Sequence, residues 1–332
     1  MSKVKIKKRN DFWKRNELSG GYLLKKTILK YALKFLRFLL MFGMCFLILQ
    51  PILNKISLSI MAEKDIYDST INVVPRHFST ENINLTSYLL DYKSSLVNSI
   101  LISFTISIVQ LISCTLVGYG FARFDFPLKK FWFACVILVI VIPPQTVSTS
   151  LYLHFRYFDV FGIISLIKGE AINLRGNALP YYLMSAGCMG LKDGLYIYLI
   201  RQFFRGIPKE LEEAAYVDGC GTLSTFVRIM LPDAKPIITS CFLFSFVWQW
   251  TDSFYSGMFL GKTKLLSTEL ESLADSLGNY LSGGNGSGNA TLGYINQINA
   301  IGVMMVVTPI ILLYLVAQRG FVESLSSTGI KM

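Results

Sequence analysis

The chain has 332 residues, of which 52% are hydrophobic and only 16% are charged. Its mean hydropathy of +0.48 is too high for a typical soluble domain of this length, so the composition favours a protein whose solvent is lipid. The net charge of +11 raises a nucleic-acid alternative. No aromatic platform or known nucleic-acid-binding pattern accompanies the basic residues, and no nucleic-acid partner is expected.

Six apolar stretches are each about as long as the roughly 20 residues that a helix needs to cross a bilayer. We therefore predict an all-α polytopic membrane protein with a basic N-terminal segment, 1–30, and a transmembrane domain, 31–332. The predicted spans are about 31–53, 94–119, 131–151, 178–204, 236–259 and 296–317. The first is interpreted as an uncleaved span, because a long segment precedes it and no small-residue cleavage site follows. The dipeptide Gln50–Pro51 predicts its helix end.

The positions of Lys and Arg predict that both termini are cytoplasmic. With the N-terminus inside, 21 of the 32 basic residues fall in cytoplasmic segments and nine in external loops, in agreement with the positive-inside rule. The basic head, which includes Lys3, Lys5 and Arg9, is then an anchor attracted to anionic lipid. The six cysteines lie in predicted spans or, for Cys220, in a cytoplasmic loop, so they are interpreted as packing residues.

Two charged residues lie inside the fourth predicted span. Lys192 and Asp193 are placed near mid-membrane, where each charge costs roughly 2.5–3.5 kcal/mol unless it is paired or hydrated. We expect both to face a cavity and treat them as possible substrate-path residues. The alternatives are a structural ion pair, a polar contact to another helix, and a local break in the span, where Gly187, Gly190 and Gly194 cluster.

The fifth predicted span carries a run of aromatic and polar residues, 248–255. Aromatic rings pack against the C–H faces of sugars, and amide or carboxylate groups hydrogen-bond to hydroxyls. Gln249, Trp250 and Asp252 are therefore further candidates for the substrate path, although core packing is the commoner role of such a run. We predict no catalytic, cofactor-binding or metal-binding residues, since the two histidines are isolated in the sequence.

The predicted cytoplasmic loop between the fourth and fifth spans has the pattern of a short surface helix, 208–219. Pro208 suits the first helical turn, acidic residues follow where the helix dipole favours them, and Gly219 is a natural C-terminal stop. The alanines in this helix offer a flat face that another surface can approach closely. Leu211 and Val217 border an apolar side.

The spacing in this loop resembles the EAA signature of ABC importer permeases. Glu213-Ala214-Ala215 is followed after three residues by Gly219, after nine more by Ile229, and after one more by Leu231-Pro232. Three other stretches resemble the maltose-system branch of that family: 118–124, 201–204 and the tail from Gln318. An apparent insertion at 165–177 and the serines at 324–327 depart from the branch. The resemblance assigns the following residues to ATPase coupling: Glu213, Ala214, Ala215, Asp218, Gly219, Ile229, Leu231 and Pro232.

The resemblance implies a type I importer permease fold, also described as MetI-like, in the bacterial inner membrane. It implies that the chain forms half of the path for a sugar or oligosaccharide, which a solute-binding protein delivers. A second homologous permease would complete the path, and two ATPase subunits, which hold the ATP and Mg, would dock on the 208–219 helix. The chain itself would be no enzyme and would bind no cofactor.

Two other functions remain open from the sequence. One is an ABC permease for a non-sugar solute, and the other is an ion-coupled secondary transporter that uses Lys192 and Asp193 as coupling charges. Uptake that continues without any ATPase subunit would identify the second. A membrane-embedded enzyme would need catalytic groups that converge at one depth, and the sequence contains no such set.

Overall fold

The computed structural model describes residues 13–68, 70–71, 74–261, 263–283 and 291–329, with side chains up to Val316 and for Gln318. Within these residues the secondary structure is helical apart from two isolated antiparallel bridges, Met61 with Phe78 and Phe158 with Ile172. This confirms the predicted all-α class. The first part of the basic head, residues 1–12, lies outside the described residues.

The helices differ widely in length, and several short ones stand between the long ones. Those that precede the predicted cytoplasmic loop are α1 Tyr22–Ser59, α2 Glu63–Ile66, α3 Glu81–Leu89, α4 Tyr92–Arg123, α5 Lys129–Val141, α6 Ser148–Arg156, α7 Ile163–Lys168, α8 Leu179–Ala186 and α9 Asp193–Gly206. Those that follow are α10 Glu210–Val217, α11 Thr222–Thr225, α12 Leu231–Asp233, α13 Lys235–Thr251, α14 Phe254–Phe259, α15 Leu266–Glu271, α16 Leu273–Gly283 and α17 Leu292–Gly329. A 3-10 turn, Pro144–Val147, precedes α6, and a π-helical segment, Phe226–Met230, precedes α12.

Three helices, α1, α4 and α17, are long and apolar enough to cross a bilayer without interruption. Two more candidate crossings are bent pairs. Helix α5 meets the segment 144–156 at 103°, and the segment 222–233 meets α13 at 74°. The fourth predicted span is divided into α8 and α9, which residues 187–192 separate. Every predicted stretch thus contains helix, while the number of six complete crossings stays a prediction.

Helix α1 differs from the prediction at Pro51. The helix does not end at Gln50–Pro51 but continues to Ser59, so the predicted end is wrong. A proline removes one backbone hydrogen bond, but a chain that left the helix within lipid would leave several backbone groups without partners. Continuing the helix is the smaller cost.

Helix α4 is the central helix of the bundle, because α8, α9, α13 and α15 all pack against it. Its buried face carries small side chains, most of them at intervals of four residues, which let neighbouring helices approach closely in a membrane. These residues are Ser95, Ser99, Ser103, Ser107, Cys114 and Gly118. At Gly118 an added Cβ would lie 2.9 Å from Cγ2 of Ile200 and 3.3 Å from the backbone nitrogen of Arg201. The contact between α4 and α9 therefore depends on glycine.

The loop between α1 and α3 is organised around the buried carboxylate of Asp65. Its Oδ2 accepts hydrogen bonds from the backbone N–H groups of Arg76 at 2.9 Å and His77 at 2.7 Å, and its Oδ1 lies 2.7 Å from His77 Nδ1. Burial acts to raise the pKa of Asp65, but these hydrogen bonds outweigh it, so the pKa lies below its ordinary value. The predicted external loop therefore has a defined structure over its described residues.

We predict opposite effects for two Gly→Ala substitutions in α4. Gly118→Ala should destabilise the chain by about 1–3 kcal/mol, because the new methyl group overpacks the contact with α9. Gly120→Ala is the matched control: its Cβ would meet nothing within 4 Å, and alanine is the better helix former by about 0.5–1 kcal/mol. Thermal unfolding of both variants in detergent measures the difference. Equal midpoints would contradict the close approach at Gly118.

Candidate substrate cavity and docking loop

A cavity of about 750 Å³ lies where three helices break. Helices α5, α9 and α13 have 13, 14 and 17 residues, so at about 1.5 Å per residue they extend about 20–26 Å before they break. Helices α9 and α13 are joined at their other ends by the loop 207–234, and α5 begins six residues after Arg123, which donates to the backbone oxygen of Ile207 at 2.8 Å. The three breaks therefore lie at similar depth. We call the space between them the helix-break cavity.

The first break follows from two consecutive prolines. Pro143 and Pro144 cannot continue α5, and Ile142 is extended with ψ 121°, the conformation that a residue before proline prefers. The second break, 187–192, contains two non-glycine residues at positive φ, Cys188 at 57° and Lys192 at 66°. Such values are uncommon outside glycine, so this loop is constrained by its surroundings.

The third break is capped by a carboxylate. Asp252 leaves the helical conformation with ψ 118°, and its side chain accepts hydrogen bonds from the backbone N–H groups of Tyr255 at 3.3 Å and Ser256 at 3.0 Å, at the start of α14. The hydroxyl of Tyr181 donates to the same carboxylate. Asp252 thus satisfies the free N–H groups that a helix start leaves.

A polar network holds the second break against α4 and α13. Gln110 of α4 donates from Nε2 to the backbone oxygen of Leu191 at 2.7 Å, and its Oε1 accepts from Ser245 of α13. The Asp193 carboxylate accepts from the backbone N–H of Gly190 at 2.5 Å and lies 3.4 Å from the thiol of Cys114. Non-helical backbone at membrane depth is tolerated only where protein or a cavity satisfies it, and this network supplies those partners.

The predicted path residues fall into two groups. Lys192 and Asp252 line the helix-break cavity. Asp193 is 0% exposed and points into the polar network, while Gln249 and Trp250 are 5% and 2% exposed. Trp250 donates from Nε1 to the backbone oxygen of Val306 at 3.2 Å, within the contact of α13 and α17.

Sequence reasoning missed two pairs of cavity residues. Trp248 and Thr251, on the face of α13 opposite to Gln249 and Trp250, both line the cavity. So do Pro143 and Pro144. Two signals could have found these residues: the double proline inside an apolar run, which indicates a break, and the helical period of 3.6 residues, which separates Trp248 from Trp250.

The loop 207–234 contains the short helix α10, which starts two residues later than predicted. Pro208 precedes the helix, and Lys209 is its N-cap. At the other end Gly219 has φ +83° and forms the predicted stop. The N–H of Gly219 donates to the oxygen of Tyr216 at 3.1 Å, and that of Cys220 to the oxygen of Ala215 at 2.9 Å. These two bonds define a Schellman motif, which requires the left-handed conformation that glycine adopts freely.

Helix α10 exposes apolar side chains on a surface that the bundle leaves uncovered. Ala214 is exposed, Leu211 is 47% exposed and Val217 is 87% exposed, and the neighbouring Leu223 is 74% exposed. Glu213, Asp218 and Gly219 are also exposed, whereas Ala215 is buried. The predicted coupling residues of α10 therefore lie on an open face, apart from Ala215, which packs inward.

The other predicted coupling residues belong to the connection between α10 and α13. Ile229 lies in the π-helical segment and is partly buried, Leu231 packs on the core next to α4, and Pro232 is exposed. These three residues therefore lie outside helix α10, in the segment that bends by 74° into α13.

A buried ion pair ties α10 to the end of α4. Oε2 of Glu212 lies 3.2 Å from Nε of Arg123, and both side chains are less than 10% exposed. The hydroxyl of Tyr119 donates to Oε1 of the same carboxylate at 2.9 Å. Arg123 also binds the backbone oxygen of Ile207. The loop and the central helix are thus joined by charge-assisted hydrogen bonds that water does not reach.

A bundle of apolar helices with a cavity at its breaks, and an exposed loop at one end, defines a membrane transport subunit. Residues 114–321 match the family described as binding-protein-dependent transport system inner membrane component. The match covers more than half of the chain and includes all of the loop 207–234. The chain belongs to this family.

Named relatives and a solved structure agree with the family. The chain is 27% identical over 259 residues to the melibiose/raffinose/stachyose import permease MelC of Bacillus subtilis, covering 78% of this chain and 83% of the relative. It is 24% identical over 292 residues to the arabinooligosaccharides permease AraQ of Halalkalibacterium halodurans, covering 86% and 92%. A chain of a bacterial ABC transporter involved in the import of the acidic polysaccharide alginate has the same fold, with a TM-score of 0.66, 17% identity and coverage of 87% and 96%.

We predict that Glu212→Gln destabilises the chain, whereas Glu213→Gln does not. Removing one member of a buried ion pair leaves the other charge uncompensated and costs about 3 kcal/mol. Glu213 is the matched control, since it is adjacent in sequence and exposed. Thermal unfolding in detergent measures both.

A double substitution tests whether the uncompensated charge is the cause of the destabilisation. Arg123→Met combined with Glu212→Met leaves no uncompensated buried charge and should recover part of the stability that Glu212→Gln loses. Recovery is incomplete because the Tyr119 hydroxyl and the Ile207 carbonyl lose their partners. If Glu212→Gln unfolds at the same temperature as Glu213→Gln, the ion pair contributes nothing to the position of α10.

Proposed function

We propose that this chain is one permease subunit of an ATP-driven importer and forms half of its translocation path. It would pair with a second homologous permease, receive cargo from an extracytoplasmic solute-binding protein, and be driven by two ATPase subunits. ATP and Mg would be bound by those ATPase subunits and no cofactor by this chain. The observation that carries the proposal is the exposed face of α10, which bears the EAA spacing and lies outside the apolar bundle.

The docking role of α10 is supported by its surface chemistry. Apolar side chains that neither the bundle nor lipid covers are the usual mark of a protein–protein contact. Leu211, Ala214 and Val217 offer such a surface, with Glu213 and Asp218 at its edge. The excess of Lys and Arg on the same side as this loop supports a location in the cytoplasm, with both termini inside the bacterial cell membrane.

A sugar or oligosaccharide is the cargo class that we propose. The relatives MelC and AraQ are named for oligosaccharide transport. The helix-break cavity offers an indole at Trp248 and polar side chains at Gln145, Thr251 and Ser253, and sugars use both aromatic and hydrogen-bonding contacts. An ion-coupled mechanism has less support, because Asp193 is satisfied inside the polar network and lies away from the cavity.

The proposed mechanism is a shift between two conformations of the permease pair. ATP binding would close the ATPase subunits and move the docked α10 helices, and the conformation that fits the closed ATPases would gain population. Because Glu212 binds Arg123 and Tyr119, α10 would carry the end of α4 with it. The three breaks around the cavity are the places where the helices can then change their packing.

We predict that Gly219→Ala reduces ATP-driven uptake and ATPase co-purification, because alanine at φ +83° costs about 1–2 kcal/mol. That cost corresponds to a decrease of about five-fold or more in the equilibrium constant for the correctly closed loop. Gly219→Asn should act more weakly, since asparagine tolerates the left-handed conformation. Uptake and ATPase content are measured with the complete transporter in vesicles, at equal permease content.

Gly221→Ala is the control for this prediction. Gly221 lies two residues away at φ −76°, and neither glycine has another atom within 4 Å of its virtual Cβ. The two variants therefore differ in backbone strain and not in crowding. Equal uptake by Gly219→Ala and Gly221→Ala would argue that the shape of the α10 terminus has no part in ATPase docking.

A further inference from the structure

Lys192 is the one charged side chain that the described residues present freely to the helix-break cavity. The described lining of the cavity contains two charged residues, Lys192 and Asp252. The Asp252 carboxylate is 8% exposed and is already bound by Tyr181 and by the N–H groups at the start of α14. Lys192 is exposed, and no carboxylate in the described part of the chain lies within ion-pair distance of it.

The ammonium group of Lys192 is held in place by an aromatic ring. Its Nζ lies 4.8 Å from the centroid of the Trp248 ring, which is the geometry of a cation–π contact. This contact orients the ammonium group but leaves its hydrogen-bond donors available, because a ring face supplies no acceptor oxygen. The site therefore combines a positioned cation with an unused capacity to bind an anion.

The backbone conformation of Lys192 supports a role for its side chain. Its φ of 66° is one that glycine adopts without cost and that lysine adopts at a cost of about 1–2 kcal/mol. Glycine occupies position 190, two residues earlier, and position 194, two residues later. A lysine here raises the free energy twice, through backbone strain and through a charge at membrane depth. Both features are typical of functional sites.

We infer that Lys192 recognises an anionic group on the cargo, so that the importer takes acidic sugars, either uronic acids through their carboxylate or sugar phosphates. This inference rests on the proposed function and specifies the substrate class of its cavity. The anion would bind the Lys192 ammonium beside Trp248. Gln145, Thr251 and Ser253, which line the same cavity, would bind the hydroxyl groups of the sugar.

The experiment is equilibrium binding to the complete transporter in lipid nanodiscs, with sets of sugars that differ only at C6, where the substituent is either neutral or anionic. The probes are glucuronate with glucose, galacturonate with galactose, mannuronate with mannose, and the 6-phosphate of each hexose. Titration calorimetry measures the affinity of each probe. At least one acidic probe should bind about ten-fold or more tightly than its neutral counterpart, because its anionic group forms a charge-assisted hydrogen bond with the Lys192 ammonium group.

Variants at Lys192 connect the preference to this residue. Lys192→Gln should weaken binding of the preferred acidic probe about ten-fold and leave the neutral sugar unchanged, while Lys192→Arg should retain the preference. Lys192→Gly removes the side chain and relieves the backbone strain, and its thermal unfolding shows separately whether a loss of binding reflects a loss of folding. Lys93→Gln, at an exposed lysine that starts α4 outside the cavity, is the matched control for charge removal and should bind like the parent.

The outcomes separate the two proposals. A preference for hexuronates alone or for phosphates alone supports the inference and identifies the anionic group. The inference is overturned if no acidic probe outbinds its neutral counterpart, including the case in which none binds, or if Lys192→Gln and Lys93→Gln behave alike. ATP-driven uptake with its dependence on Gly219 would survive that result, so failure here does not remove the importer function.

Discussion

Every backbone N–H and C=O group at membrane depth needs a partner within the protein, and this constraint organises the whole structure. A continuous helix meets it automatically, which is why α1 continues through Pro51 at the cost of one hydrogen bond. Helices α5, α9 and α13 do not meet it, since all three break at similar depth. The breaks exist because the surroundings satisfy them, with Gln110 binding the backbone of Leu191 and Asp252 capping α14.

The same constraint decides which buried polar residues serve the fold. Asp193, Asp252 and Gln110 each form a hydrogen bond with a backbone group that the breaks leave free, so their polarity serves the fold. Of the three, Asp252 lines the cavity and the other two do not. The Glu212 carboxylate pairs with Arg123 and accepts a hydrogen bond from Tyr119, and these contacts hold α10 against α4. Lys192 faces the cavity and the apolar side chains of α10 are exposed, so these groups are available to bind partners.

The sequence predicted the helical class, the position of the apolar stretches and the exposed loop, because those depend on composition, local period and glycine chemistry. Gly219 as a helix stop is a local property and is confirmed. The helix end at Pro51 was wrong because proline has two outcomes that only the surrounding medium separates. The division between Lys192 and Asp193 was not visible in the sequence, since adjacent residues point in different directions and their partners, Trp248 and Gln110, lie far along the chain. Residues of α13 were assigned to the path together, although the helix turns Gln249 and Trp250 away from the side that bears Trp248.

Helix α4 connects the helix-break cavity to the loop 207–234 as one continuous helix. Gln110 contacts the second break and Arg123 contacts the loop 207–234. The two residues are thirteen positions apart on one uninterrupted helix, a distance of about 20 Å. Close packing at Gly118 leaves no slack between them on the side of α9. In the proposed importer, a displacement of the loop 207–234 would therefore be transmitted along α4 to the cavity wall, and the breaks are where the helices would change their packing. The proposed importer would then open at the breaks of α5, α9 and α13, because α4 itself has no break between its contact with the cavity wall and its contact with the loop.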